Sequence, residues 1–328
     1  MRLIFMGTPE TAVPTLRRCL EDGHEVVAVW TQPDRAAGRG YGVKESPVKE
    51  FALAHGLEVQ QPQKIKTDEA RELFASHDPD VAVVVAYGRI LPASFLSAPR
   101  RGCINVHFSL LPKYRGAAPV NWAIVRGETE TGVTTMQIDV GLDTGALYLQ
   151  RATPIGDTET APQALARLAV LGAELLGETL ARLDELEPQP QSEDAATHAP
   201  ILRREDGLID WSASAHEIER RVRGFQPWPN AHTQFRGQRL IIQQASLPDV
   251  SLDSFPERAG AGAGEIRQAR GDELEVECGA GTRLRLWEVQ LEGKRRMSAR
   301  DFINGMRVRA GERLGNEGTD GVEDRGKG

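Results

Sequence analysis

Three short, almost unbroken apolar runs constrain the fold of this chain more than any other feature. They are Leu3-Ile-Phe-Met6, Val26-Val-Ala-Val-Trp30 and Val81-Ala-Val-Val-Val-Ala86. A strand with one wet face alternates apolar and polar residues, because successive side chains point to opposite faces. Runs without that alternation belong to strands covered on both sides, and helical stretches between them supply the crossovers of a parallel sheet. One such helix is expected from about Pro9 to Asp22. A fourth segment, Cys103-Ile-Asn-Val-His107, reads as a further strand but ends in polar residues. The expected fold class is therefore α/β, a Rossmann-like parallel sheet. The turn Gly7-Thr-Pro9 stands where a dinucleotide fold carries Gly-x-Gly-x-x-Gly, and that motif is absent. A mononucleotide-type sheet without NAD follows, with its ligands at the carboxyl ends of the strands.

The polar end of the fourth segment is where chemistry is expected. Side chains two apart on a strand share a face, so Asn105 and His107 project together. Some thirty residues on, Val140-Gly-Leu-Asp143-Thr-Gly145 brings a glycine-bracketed acid on a loop. An amide donor, an imidazole and a carboxylate within reach of one another suit acyl transfer to an amine. One steadies a carbonyl oxygen, one stabilises developing charge, and one orients the imidazole or takes the amine's proton. On spacing alone, a satisfied core histidine beside a turn-capping asparagine explains the pattern equally well.

Composition narrows the classes. The 328 residues suffice for two domains, and no apolar stretch reaches the ~18 residues of a membrane helix. The amino terminus has no signal-peptide pattern, and three scattered cysteines (Cys19, Cys103, Cys278) fit free thiols in a cytoplasmic protein. No ligand cluster accompanies them, so no metal is expected. The net charge of −7 argues against a nucleic-acid partner, but it is uneven. Residues 1–202 hold 19 Lys+Arg against 26 Asp+Glu, whereas residues 203–313 hold 19 against 17.

Apolar spacing at Leu165, Leu168, Leu175, Leu176, Leu180 and Leu183 predicts an amphipathic helix over 162–184 that packs on the sheet. The catalytic domain is thus expected over 1–187. Glu187-Pro-Gln-Pro-Gln-Ser-Glu-Asp lacks periodicity and reads as an exposed linker, 188–205, across which few contacts should run. Short alternating segments with Gly-rich turns follow, the pattern of a small antiparallel, OB-like β-barrel over 206–314. The segment Ala259-Gly-Ala-Gly-Ala-Gly264 reads as a flexible loop, and 315–328 as a disordered tail.

The loop Thr31-Gln-Pro-Asp-Arg35-Ala-Ala-Gly-Arg39-Gly40-Tyr-Gly-Val-Lys44 is expected to be mobile, and it lacks the Gly-Lys-Ser/Thr of a P-loop. Arg220, Arg221 and Arg223 fall on a helix opened by Ser214-Ala-His-Glu217, where a solvated face explains them. Lys294, Arg295 and Arg296 interrupt a strand pattern in a Gly-led turn, a stronger position for phosphate contact.

Several linked motifs then carry a resemblance: Asn105-Val-His107, Ser109-Leu-Leu-Pro112, Tyr114-Arg-Gly-Ala-Ala-Pro119 and Gly141-Leu-Asp143-Thr-Gly145. In this order they closely resemble the 10-formyltetrahydrofolate-dependent formyltransferases, and among these the bacterial methionyl-tRNA formyltransferase branch. The likeness runs from Phe5-Met-Gly-Thr-Pro9 to Lys294-Arg-Arg-Met-Ser298. It implies Asn105, His107 and Asp143 as the catalytic trio, and Ser109, Leu110, Leu111 and Pro112 as folate contacts. The loop Tyr87-Gly-Arg-Ile-Leu-Pro92, with Arg89 and Leu91, would complete the folate pocket. It further implies tRNA contacts at Arg39 and Lys44, with Lys294, Arg295 and Arg296 in the second domain. Phe108 departs from the usual small residue, and a bulky ring there is expected to reshape the pocket wall. The implied activity is formyl transfer from 10-formyltetrahydrofolate to the α-amine of methionyl initiator tRNA, by a cytoplasmic monomer without metal or membrane. The rivals are formylation of a sugar-nucleotide amine and non-catalytic binding of folate or RNA.

Overall fold

The computed structural model of the chain describes residues 1–37, 42–248 and 262–315. They form two compact units, Met1–Trp122 with Glu128–Ile201, and Ala123–Gly127 with the chain from Leu202 onward.

In chain order the strands of the first unit are β1 (Arg2–Gly7), β2 (Glu25–Trp30), β3 (Arg35–Ala37), β4 (Gly42–Lys44), β5 (Val59–Gln60) and β6 (Val81–Val85). After them come β7 (Cys103–His107), β8 (Arg115–Gly116), β9 (Glu130–Gln137), β10 (Leu147–Pro154) and β11 (His198–Ala199). The helices up to this point are α1 (Val13–Glu21), α2 (Pro47–Ala54), α3 (Asp68–Ser76), α4 (Ala93–Leu96), α5 (Pro119–Val125) and α6 (Ala161–Ala181). The main sheet has the order β10-β9-β7-β6-β1-β2-β5. The apolar runs are its centre: β1, β2, β6 and β7 pair in parallel and are buried almost throughout.

On one face Trp30 meets Phe74 of α3 and Phe95 of α4 edge-on, with ring centroids 5.3 and 5.6 Å apart. Each contact of this kind adds about 0.5–1.5 kcal/mol beyond the area it buries. The other face is covered in part by α6. A Cβ on Gly172 would stand 2.8 Å from Val106 and 3.4 Å from the Phe108 ring, so this helix lies against β7 as closely as it does because residue 172 has no side chain.

Two differences from the expected sheet have physical reasons. The β9 and β10 strands run antiparallel beyond β7, which makes the sheet mixed. They are joined by a short loop, a connection that only antiparallel strands accept. Buried Thr131, Thr134 and Thr135 hide β9 from an apolar count, Thr135 sharing a hydroxyl hydrogen bond of 2.8 Å with Thr179 of α6, and β10 has no fully buried residue to reveal it. The loop expected over 31–44 is, in its described part, the antiparallel hairpin β3–β4. The legs of the hairpin are stapled, since Thr31 Oγ1 bonds Ser46 Oγ at 2.8 Å and Lys49 pairs with both Asp34 (2.5 Å) and Glu45 (2.9 Å).

The second unit begins its regular structure with α7 (Ala215–Gly224), followed by β12 (His232–Phe235), β13 (Gln238–Ser246), β14 (Ile266–Arg270), β15 (Glu273–Glu277), β16 (Arg283–Leu291), β17 (Met297–Ser298) and α8 (Ala299–Met306). The antiparallel sheet has the order β12-β13-β16-β15-β14, with β17 on β16. It closes over a core of its own that includes Ile218, Phe235, Leu240, Leu284, Leu286 and Phe302. A capping box starts α7, where Ser214 Oγ accepts from the Glu217 N–H and the Glu217 carboxylate accepts from the Ser214 N–H at 2.9 Å. This is the helix start expected from Ser214-Ala-His-Glu217. Of the Gly-rich segment at 259–264 and the tail at 315–328, residues 259–261 and 316–328 lie outside the described residues.

Candidate active site

The period of β7 sends Asn105 and His107 to one face and Val106 and Phe108 to the other. Phe108 therefore packs against α6 at Gly172 and does not shape the wall beside His107, contrary to the expectation from its size. His107 is buried. Its Nε2 lies 3.0 Å from the Tyr114 carbonyl, which only accepts, so Nε2 carries a proton. Its Nδ1 faces Asp143 Oδ2 at 3.8 Å. The side-chain amide of Asn105, half-buried at the same strand end, has no hydrogen-bond partner among the described residues.

Asp143 reaches this strand because its loop is tightly folded. Asp139 Oδ1 accepts from the Gly141 N–H at 3.0 Å and the Thr144 hydroxyl at 2.7 Å. A Cβ on Gly145 would fall 1.8 Å from the Gln137 carbonyl oxygen, so only glycine allows the return to β10. Asp143 itself takes a left-handed conformation, φ +55°, which Asp tolerates better than most residues. The Gly116 N–H donates to its Oδ2 at 2.8 Å, and the Gln191 amide donates to its backbone carbonyl at 2.8 Å. Neither Gly116 nor Gln191 has a role in the sequence reading. Gly116 lies in a quoted motif, whereas Gln191 sits in a stretch that composition marks only as linker.

The segment expected to contact folate is largely occupied by the protein. Thr134 is its hub: the hydroxyl donates to the Ser109 carbonyl (2.6 Å) and accepts from the Leu111 N–H (3.2 Å) and from Gln150 Nε2 (2.9 Å). Gln150 also holds the Leu111 carbonyl at 2.7 Å, and Ser109 Oγ donates to the Lys113 carbonyl at 2.7 Å. Leu110 packs against Gly132, and the Pro112 carbonyl accepts from the Thr197 N–H at 3.2 Å. At the end of β6, Gln32 Nε2 holds the carbonyls of Tyr87 and Gly88 at 3.0 and 3.1 Å. Arg89 Nη1 is tied to the Pro62 carbonyl at 2.9 Å. Leu91 is buried in the core with Trp30 and Phe95, and the exposed apolar residue of this loop is its neighbour Ile90.

Arg39 lies outside the described residues, while Lys44 is exposed at the end of β4. In the second unit Lys294, Arg295 and Arg296 are exposed in the turn after β16. Arg296 is ion-paired with Glu288, and the other two have no ion pair among the described residues. No cluster of three or more His, Cys, Asp or Glu side chains able to hold a metal occurs among the described residues.

The sequence pattern of the formyl transferase family is matched over residues 1–180, and that of the formyl transferase C-terminal domain over 201–307. The chain belongs to the formyl transferase family. It is 52% identical over 318 residues to a methionyl-tRNA formyltransferase of Koribacter versatilis, covering 96% of this chain and 99% of that protein. A methionyl-tRNA formyltransferase of Citrifermentans bemidjiense is 49% identical over 322 residues, covering 96% of each chain. Among solved structures, an N-formyltransferase from Helicobacter canadensis, in complex with folinic acid and dTDP-3-aminofucose, superposes with a TM-score of 0.64 at 20% identity. That match covers 87% of this chain and 98% of the other. A methionyl-tRNA formyltransferase from Clostridium thermocellum gives a TM-score of 0.53 at 17% identity, covering 76% of this chain and 95% of its own. At these identities the two structures establish a shared fold. The site of this formyl transferase is thus built on a common frame, with its polar groups at the end of a buried strand.

Proposed function

We propose that the protein transfers the formyl group of 10-formyltetrahydrofolate to the α-amine of methionyl initiator tRNA, as a monomer in the bacterial cytoplasm. The observation that carries this reading is the setting of His107, held between the Tyr114 carbonyl and Asp143, with the Asn105 amide, unpartnered among the described residues, on the same strand face. The Nε2–H is committed to the Tyr114 carbonyl, which fixes the plane of the ring and turns Nδ1 toward Asp143, beside the Asn105 amide. Asn105 donates to the formyl oxygen, and His107 stabilises the negative charge that develops there as the amine adds. A free α-amine titrates near ~8, so its proton needs a base at neutral pH, and Asp143 accepts it directly or through water. The new bond joins the amine nitrogen to the formyl carbon; the bond from that carbon to folate N10 breaks, and N10 takes up a proton.

The Asn105 amide, without a partner among the described residues, and the exposed Ile90 are consistent with a formyl-folate co-substrate at this strand end. The relatives near 50% identity support methionyl-tRNA as acceptor over a sugar nucleotide, because the likeness to the sugar enzyme extends only to the fold. No helix among the described residues is long and apolar enough to cross a membrane. Lys44, Lys294, Arg295 and, in the undescribed part of the hairpin loop, Arg39 are the proposed phosphate contacts. The deciding assay offers the protein 10-formyltetrahydrofolate with either methionyl-tRNA or a sugar-nucleotide amine. Formylation of the tRNA alone is expected. Transfer to the sugar alone, or to neither, would overturn the reading.

A further inference from the structure

Residues 189–199 have the composition of interdomain chain, yet they are hydrogen-bonded across three loops of the active site. Gln189 exchanges both backbone hydrogen bonds with Leu147, each 2.8 Å. Thr197 accepts the Tyr114 N–H on its hydroxyl at 2.8 Å, donates its own N–H to Pro112, and accepts the Arg115 N–H at 2.8 Å. The strand β11 then pairs in parallel with β8, His198 opposite Arg115 and Ala199 opposite Gly116.

Side chains complete the strap. One amide, that of Gln191, donates to the carbonyls of Asp143 and Gly145, both at 2.8 Å, while its oxygen accepts from Arg115 Nε at 3.0 Å. Glu193 takes the other two guanidinium nitrogens of Arg115 at 2.9 Å each. The Arg115 side chain is 3% exposed and its carboxylate partner 74% exposed. A buried cation without its partner is costly, so Arg115 holds the strap down as much as the strap holds Arg115.

We propose that this strap is a positioning element for formyl transfer, with Gln191 as the residue that holds the catalytic carboxylate in register with His107. Both contacts that orient Asp143 pass through it. The backbone carbonyl of Asp143 is fixed by Gln191, and its Oδ2 is fixed by the Gly116 N–H, whose strand is held by β11. Asp143 sits at a positive φ just after the exposed residues Gly141 and Leu142, and these hydrogen bonds tie both its backbone and its carboxylate. The proposal rests on the reading of Asp143 as the proton acceptor.

The test uses the full chain, formylating methionyl-tRNA. Gln191→Glu keeps the size of the side chain and can still accept from Arg115, but it has no donor for the two carbonyls. It should lower kcat by about 10–100-fold, the scale of a misplaced catalytic group, with Tm and the KM for the formyl donor little changed. Gln191→Ala should do the same in the wild-type background, and less than about twofold in an Asp143→Asn background, because coupled residues are not additive. Full activity of Gln191→Glu, or the same factor in both backgrounds, would overturn the strap. A wild-type protein inactive on methionyl-tRNA would instead overturn the function proposed above, which keeps the two failures apart.

Discussion

Replacing Asp143 by Asn changes one atom of the site and removes both the charge that faces His107 and the base proposed to receive the amine's proton. The Gly116 N–H and the Gln191 amide still find acceptors in the variant, so the loop should keep its shape. Turnover should fall by about 10²–10⁴-fold, the scale of a lost general base, with folate affinity and Tm nearly unchanged. Near-normal turnover would remove Asp143 from the mechanism. Thr134→Val tests the neighbouring loop in the opposite currency. It leaves a buried Leu111 N–H and Ser109 carbonyl unsatisfied, which should cost about 1–3 kcal/mol of stability by denaturant unfolding. At this scale the sequence was legible where side-chain direction follows from a period: Asn105 and His107 share a face as two residues of one strand must. It was not legible where position depends on a loop's exact path, as with Gly116, Gln191 and the core placement of Leu91. The Phe108 expectation failed because size was considered without the strand's alternation.

An element is held by its ends as well as by its apolar face, and Asp80 shows this for β1 and β6. Its carboxylate, just before β6, accepts from the Arg2 N–H at 2.8 Å and from Arg100 at 2.7 Å, and these bonds hold it below the usual carboxylate range. A depressed folded value means stability that is fully present above the unfolded value, near ~3.9, and lost as pH falls through the folded one. In thermal melts from pH 7 downward, Asp80→Asn should lie below wild type at neutral pH and converge with it in acid. A gap that stays constant across the series would show that the charge contributes nothing. The elements themselves were readable wherever burial writes a pattern. The β1, β2, β6 and β7 strands are apolar runs, and α6 carries its leucines along one side. The β9 strand escaped because threonine buries its hydroxyl with a partner and leaves no apolar signature, and β10 because none of its residues is fully buried. The strap escaped for a related reason, since its attachment is made of backbone groups, Gln, Glu and Thr, which read the same in a linker as in an ordered segment.

Two separate cores mean that the molecule can be divided, and the strap determines where. The proposed catalytic trio, the loops proposed to contact folate and α6 all precede residue 188, so a boundary placed there looks natural from the sequence. A chain ending at 187 would nevertheless lose Gln191, Glu193 and Thr197, leaving Arg115 buried without its carboxylate and the Asp143 loop without its tether. A chain of residues 1–205 keeps all of them. The expected order follows from that difference. The 1–205 chain should fold, bind tetrahydrofolate close to the full-length affinity and formylate methionyl-tRNA poorly, because it lacks the second unit with Lys294 and Arg295. The 1–187 chain should melt lower, since it loses the backbone and side-chain hydrogen bonds of the strap and leaves the Arg115 guanidinium without Gln191 and Glu193. Its residual transfer should resemble that of the Asp143 variant. In the full-length protein added salt should weaken use of the tRNA, as phosphate contacts release counterions, and the slope should be shallow because the second unit is only mildly basic. If 1–205 formylated methionyl-tRNA as well as the intact chain, the second unit would have no part in RNA binding. If 1–187 matched 1–205 in melting temperature, folate affinity and residual rate, the strap would be a passive connection after all.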